Sequence, residues 1–170
     1  VIAPDWRGFG RTDCNPGDCY WFADYLGDLD ALLDALSPGQ AVDLVGHSMG
    51  GNVVMGYAGV RPERIRRLVN LEGFSLPPTH AEHVPKRLRQ WLDDLQQPQS
   101  LRDYASLAEV AARLMKTNPR LPADKAAWLA AQWSAQRDDG RWHILGDAAH
   151  KRVNPVTTRG QDPELYWLEK

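Results

Sequence analysis

Ser48 stands at the centre of Gly46-His47-Ser48-Met49-Gly50, a G-x-S-x-G pentapeptide. A serine hydroxyl can attack a carbonyl carbon when a base takes its proton and an acid orients that base. It must also be lifted clear of the surrounding backbone. The flanking residues supply a means. Val42, Leu44 and Val45 read as a buried strand, and Asn52 to Tyr57 continue as a helix. A strand that turns sharply into a helix raises the middle side chain of the turn. Gly46 and Gly50 suit this crossing because a Cβ at either place would crowd it. Ser48 then lies at the N-terminus of a helix whose dipole favours a developing negative charge. The backbone N–H of Met49 points to where an oxyanion would form.

The elements that must position this turn follow from the hydrophobic pattern. Val1-Ile2-Ala3 reads as the end of a strand, and residues 4–13, PDWRGFGRTD, as a loop punctuated by glycine. Ala23 to Leu36 reads as a helix, with Leu26, Leu29, Leu32, Leu33 and Leu36 forming one apolar stripe. Ser37-Pro38-Gly39 stops it. The helix after Ser48 runs to about Val60 and ends near Arg61-Pro62. Leu68-Val69-Asn70-Leu71 reads as the next buried strand, and Glu72-Gly73-Phe74 as its exit. This order gives a right-handed βαβ pattern and a parallel sheet. Ligands of open α/β sheets gather at the carboxyl ends of the strands, so Glu72 falls at the same edge as Ser48. The basic run of Arg61, Arg64, Arg66 and Arg67 reads as a solvated connection rather than an anion site.

Pro77-Pro78 marks a change of organisation. Val84 to Leu95 reads as a helix with Leu88, Trp91, Leu92 and Leu95 on one face. Ser106-Leu107-Ala108-Glu109 is a capping box that opens a helix through Met115. Pro122 to about Gln136 reads as a further helix with Trp128, Leu129 and Trp133 on its apolar side. Asp139-Gly140 is a turn, and Arg141 to Leu145 a short extended piece. Trp91, Trp128, Trp133, Trp142 and Trp167 read as packing residues, with an apolar acyl pocket as the alternative use.

In this context the sequence resembles the α/β-hydrolase family, whose nucleophile elbow often reads G-H-S-M-G-G, as residues 46–51 do. A D-x-R-G-x-G stretch similar to residues 5–10 precedes the elbow unit in that family. The resemblance implies an α/β fold whose parallel sheet is incomplete here, with an inserted helical cap. The core takes residues 1–76, the cap 77–160 and a return segment to the core 161–170. Asp5 and Arg7 then fix their loop, and Trp6 and Phe9 pack locally or line a pocket mouth.

The resemblance also implies the order Ser, acid, His along the chain. Ser48 takes the first role, and Met49 supplies the oxyanion N–H. Glu72 is the candidate acid, since some members carry theirs at the end of this strand. Most carry it one strand later, beyond the cap; Glu72 is then a strand-end residue bonded to a loop. None of His47, His80, His83, His143 and His150 follows a last sheet strand, where the family's histidine belongs. His47 lies inside the elbow with its ring turned away from the Ser48 hydroxyl. The resemblance therefore implies an internal fragment of a longer serine hydrolase, inactive by itself. Its substrate is a small ester or other acyl compound, of apolar character, and neither a metal nor an organic cofactor is implied. A carboxylate nucleophile, which a dehalogenase or epoxide hydrolase needs, is absent at position 48. A non-catalytic ligand-binding protein, an acyltransferase and a carbon–carbon bond hydrolase remain alternatives.

Composition agrees with a globular chain. Of 170 residues, 43% are apolar and 25% charged, and the net charge of −2 calls for neither nucleic acid nor an anionic membrane. No stretch has membrane-spanning length. Cys14 and Cys19 lie in a polar loop without a histidine or cysteine cluster, which suits a reducing, cytoplasmic compartment better than a disulfide or a metal site. A core missing its outer strands leaves sheet edges open. The 170 residues alone are expected to be unstable or prone to aggregate; a soluble monomer with cooperative unfolding would count against this.

Overall fold

The computed structural model describes residues 1–14, 20–74 and 83–153. These fall into two compact units. One gathers residues 20–74 and 83–96 with 152–153, and the other residues 1–14 with 97–151. The expected core–cap boundary at 76/77 and the return at 160/161 lie outside the described residues.

The first unit contains helix α1 (Phe22–Leu36), strand β1 (Val42–His47), helix α2 (Met49–Val60), a 3-10 turn (Pro62–Arg64), strand β2 (Ile65–Leu71) and helix α3 (Val84–Gln96). α1 opens where the Asp24 carboxylate accepts the Trp21 N–H at 3.0 Å. Tyr25, Leu29 and Leu33 are its buried face, while Leu36 at the end of the expected stripe stays exposed. β1 and β2 run parallel, with Leu44 opposite Leu68, Gly46 opposite Asn70 and His47 opposite Leu71. α2 packs on both strands and on α1. It is buried nearly all round: Val53 and Ala58 are fully enclosed, and Val54, Met55 and Tyr57 nearly so. A helix without a polar face belongs at the centre of its unit. Burial of each such large apolar side chain contributes about 1.5–3 kcal/mol.

Several local expectations change. Val1-Ile2-Ala3 is not a strand, because it has no strand to pair with among the described residues. Val42 and Leu44 are half-buried and Val45, Val69 and Leu71 exposed, where buried strands were expected. No third strand flanks β1 and β2 among the described residues, so the cover usual for a parallel sheet is incomplete. On α3, Trp91 is half-buried but Leu88, Leu92 and Leu95 are exposed.

The connection from α2 to β2 is polar and paired. The Arg61 Nε lies 3.3 Å from Asp30, Arg64 bonds the Asp34 carboxylate and the Ser37 carbonyl, and Arg66 grips Asp43 with two bonds of 2.8 and 2.7 Å. The acidic partners sit on α1 and β1, so the basic run ties the βαβ unit together.

The second unit holds strand β3 (Asp103–Tyr104), helix α4 (Leu107–Thr117), helix α5 (Ala123–Trp133), strand β4 (Ser134–Gln136), strand β5 (Trp142–Ile144) and a 3-10 turn (Ala148–Lys151). The strands form an antiparallel sheet in the order β3-β5-β4. Ser106 Oγ accepts the Glu109 N–H at 3.3 Å, while the Glu109 carboxylate reaches the Ala105 N–H at 3.0 Å. The helix expected to run to Gln136 stops at Trp133 because residues 134–136 pair with β5. Its buried face is also different. Ala126 and Ala130 are enclosed with Val110 and Ala111 of α4, whereas Trp128 and Trp133 are exposed. Small residues let two helices approach closely, which turns the bulky tryptophans outward.

A buried phenol and a partly exposed carboxylate anchor α2. Tyr57, only 2% exposed, donates its hydroxyl to Asp30 at 2.7 Å. Burial, reinforced by this bond, pushes the phenol up to about 12, and the bond together with Arg61 holds Asp30 below the ordinary carboxylate range. A raised phenol pKa means that its contribution to stability is complete below the unfolded value near 10 and is lost as pH rises through about 12. The Asp30 contribution is present above the ordinary carboxylate value and is lost as pH falls through the lowered one. Near-ultraviolet titration is expected to show one tyrosine ionising about two pH units late, absent in Tyr57→Phe. That variant is expected to lose about 1 kcal/mol of unfolding free energy in a denaturant titration.

Candidate active site

Ser48 occupies the single residue between β1 and α2. Its backbone has φ 52° and ψ −117°, and its side chain is exposed. Six described residues have positive φ; four are glycines, and the other two are Ser48 and Glu72. A non-glycine residue in such a conformation costs about 1–3 kcal/mol and is found where its surroundings over-determine it. Ser48 also stands at the N-cap of α2, where a serine hydroxyl ordinarily accepts a backbone N–H of the first turn. It makes no such bond here.

The turn is held by close backbone crossings. A Cβ on Gly46 would overlap the Gly50 carbonyl oxygen and come within 2.7 Å of the Val54 side chain. One on Gly51 would overlap Asn70 Oδ1 and stand 2.9 Å from Gly73 Cα. The Ser48 N–H donates to the Leu71 carbonyl at 2.8 Å, and the Asn52 N–H to the Ser48 carbonyl at 3.1 Å. Met49 is the first residue of α2, so its N–H has no acceptor within the helix and lies at the positive end of the dipole.

Glu72 follows β2 at φ 60°. Its carboxylate lies 3.6 Å from the His47 Nε2, and both side chains are largely exposed. The structure thus brings Glu72 to the residue before Ser48, with the loop tied to the elbow through Leu71. The loop is closed by Asn70. Its Oδ1 accepts the Gly73 N–H at 2.8 Å, and its Nδ2 donates to the Gly73 carbonyl at 2.7 Å. The roles of Asn70 and Gly73 were not anticipated from the sequence, although an Asn near a strand end with a Gly three residues later is a turn signal.

His143 and His150 belong to the second unit. His150 stacks on Phe9 with ring centroids 4.0 Å apart, and its Nε2 sits 3.2 Å from the Gly8 carbonyl. A carbonyl only accepts, so this nitrogen carries a hydrogen. Burial holds the imidazole below its ordinary range. His150 is engaged in fixing the loop of residues 4–13, where Asp5 accepts the Arg11 N–H at 3.0 Å and thereby acts as the expected loop-fixing group. His143 lies on β5 opposite Asp103 and Ala135. His80 and Trp167 fall outside the described residues. Among the described residues no group of three or more potential ligands could hold a metal ion, and no helix is long and apolar enough to cross a membrane.

Comparison with known proteins bears on the fold. Residues 1–168 match the family model described as the alpha/beta hydrolase fold. The chain is 45% identical over 83 residues to a cis-3-alkyl-4-alkyloxetan-2-one decarboxylase of Shewanella oneidensis, covering 46% of this chain and 26% of that protein. A hypothetical protein of Pseudomonas aeruginosa PAO1 superposes with a TM-score of 0.82 at 24% identity, over 97% of this chain and 58% of that one. The thioesterase domain from the curacin biosynthetic pathway does so at 0.79 and 25% identity, over 96% and 58%. The chain therefore spans little more than half of these solved structures and about a quarter of that curated relative. With the strand–turn–helix at Ser48 and the match over nearly its whole length, the chain belongs to the α/β-hydrolase fold family.

Proposed function

We infer that Ser48 is the nucleophile of a cytoplasmic serine hydrolase acting on a small, apolar ester or other acyl substrate. The observation that carries this reading is the conformation of Ser48: a strained, exposed serine at a helix N-terminus whose hydroxyl is not spent on capping. Its Oγ attacks the acyl carbonyl and gives up its proton to a base. The carbonyl oxygen becomes an oxyanion beside the Met49 N–H. Collapse of the tetrahedral adduct expels the alcohol or thiol, which takes the proton back, and leaves an acyl ester on Ser48. Water then attacks this ester by the same route and releases the acid. Glu72 is the acid that orients the base. Its place at the strand end tied to the elbow supports this role, as does the 3.6 Å approach of its carboxylate to the imidazole of His47 at the end of β1.

None of the five histidines is assigned as the base. Likeness to a thioesterase domain supports an acyl substrate. A carboxylate ester intermediate, as in epoxide or halide chemistry, has no Asp at position 48 to form it.

The test is a fluorophosphonate probe applied to the intact protein, followed by peptide mass spectrometry. Labelling is expected on Ser48, and Ser48→Ala is expected to lower kcat on p-nitrophenyl acyl esters by roughly 10⁴-fold or more. Labelling elsewhere, or a Ser48→Ala protein that keeps its turnover, overturns the assignment. An intact protein that neither labels nor turns over esters supports a non-catalytic ligand-binding role instead.

A further inference from the structure

We propose that Asn70 is a positioning residue that sets the Glu72 carboxylate against the elbow. The proposal rests on the reading of Glu72 as the orienting acid and adds the group that fixes it. Glu72 has to hold a left-handed backbone that favours glycine. Something in the loop must therefore over-determine it. Asn70 does this with one side chain. It takes the Gly73 N–H on Oδ1 and gives its own Nδ2–H to the Gly73 carbonyl, so both peptide groups flanking Gly73 are fixed. Glu72 is inside the ring so closed.

The residue type is specific to the task. Aspartate has no hydrogen to donate and would set a charge against the Gly73 carbonyl. Serine is too short to span both groups with one hydroxyl. Only an amide offers a donor and an acceptor side by side. The amide is itself wedged in place. Its Oδ1 occupies the volume that a Cβ on Gly51 or Gly73 would fill. Asn70 is also the register partner of Gly46, two residues before the nucleophile. The first turn of α2, the elbow and the acid loop thus share one side chain as a spacer.

A double-mutant cycle on the intact protein tests this, using Asn70→Ala, Glu72→Gln and their combination, with p-nitrophenyl ester turnover as the readout. Asn70→Ala is expected to lower kcat about 10- to 100-fold, as a misplaced catalytic group does. KM is expected to stay within about twofold, because no substrate contact is removed. In the Glu72→Gln background the same substitution is expected to change kcat by less than about twofold, since the group it positions is already gone. Equal losses in both backgrounds, or an unchanged kcat in Asn70→Ala beside a slow Glu72→Gln, overturn the proposal and leave the acid assignment standing. Full activity in Glu72→Gln, with Ser48→Ala inactive, overturns the acid assignment and the proposal with it. Should Asn70→Ala not fold, Asn70→Asp keeps the Oδ1 acceptor for the Gly73 N–H, loses the donor to the Gly73 carbonyl, and enters the same cycle with the same criteria.

Discussion

Two backbone crossings leave no room for a side chain, and the site depends on them. At the first, β1 passes so close to the start of α2 that Gly46 meets the Gly50 carbonyl. At the second, the loop leaving β2 lies on Gly51 through Gly73. Together they fix three segments, the strand end, the helix start and the next strand's exit, within one small volume. A Cβ at any of the three glycines would force them apart, and packed backbone gives way poorly. The Ser48 N–H to Leu71 carbonyl bond adds direction to this contact. It satisfies a donor at the elbow that the helix cannot use.

What resists the crossing is supplied by α2. Its buried valines, Met55 and Tyr57 anchor it between the strands and α1, and the Tyr57–Asp30 bond fixes its last turns. Surface ion pairs are individually weak. The contribution of Arg61, Arg64 and Arg66 lies in their connectivity: each joins the segment just after α2 to α1, its following loop or β1. A helix pinned at both ends can present a strained residue at its N-terminus without unwinding to relieve it.

The elbow, the parallel pairing and the helix order were legible because each rests on local pattern. A glycine two residues to either side of Ser48, an apolar strand before it and leucines at helical spacing are signals within a short window. What escaped depends on partners distant in sequence. Val45, Val69 and Leu71 have the composition of buried strand residues, yet their burial depends on what lies beyond β1 and β2. Trp128 and Trp133 are the largest apolar groups on α5, but the choice of buried face was made by the alanines of α4 and α5, which gain close approach instead of area. Residues 134–136 carry no strand signal of their own and are extended because β5 lies beside them. The Asn70 bracket was invisible for the same reason: its function is defined by Gly73 and Gly51 together.

The placement of strain adds a further argument. The chain uses glycine at Gly8, Gly10, Gly39 and Gly140, where positive φ is needed and no side chain is required. At Ser48 and Glu72 it does not, although glycine would relieve about 1–3 kcal/mol at each. These two residues are joined through the Ser48–Leu71 bond and lie at the carboxyl edge of neighbouring parallel strands. One carries a hydroxyl that declines its capping bond, the other a carboxylate beside an imidazole. Strain retained at two adjoining positions, each bearing a reactive group and each replaceable by a more stable glycine, argues that the side chains themselves are what the fold is built to hold.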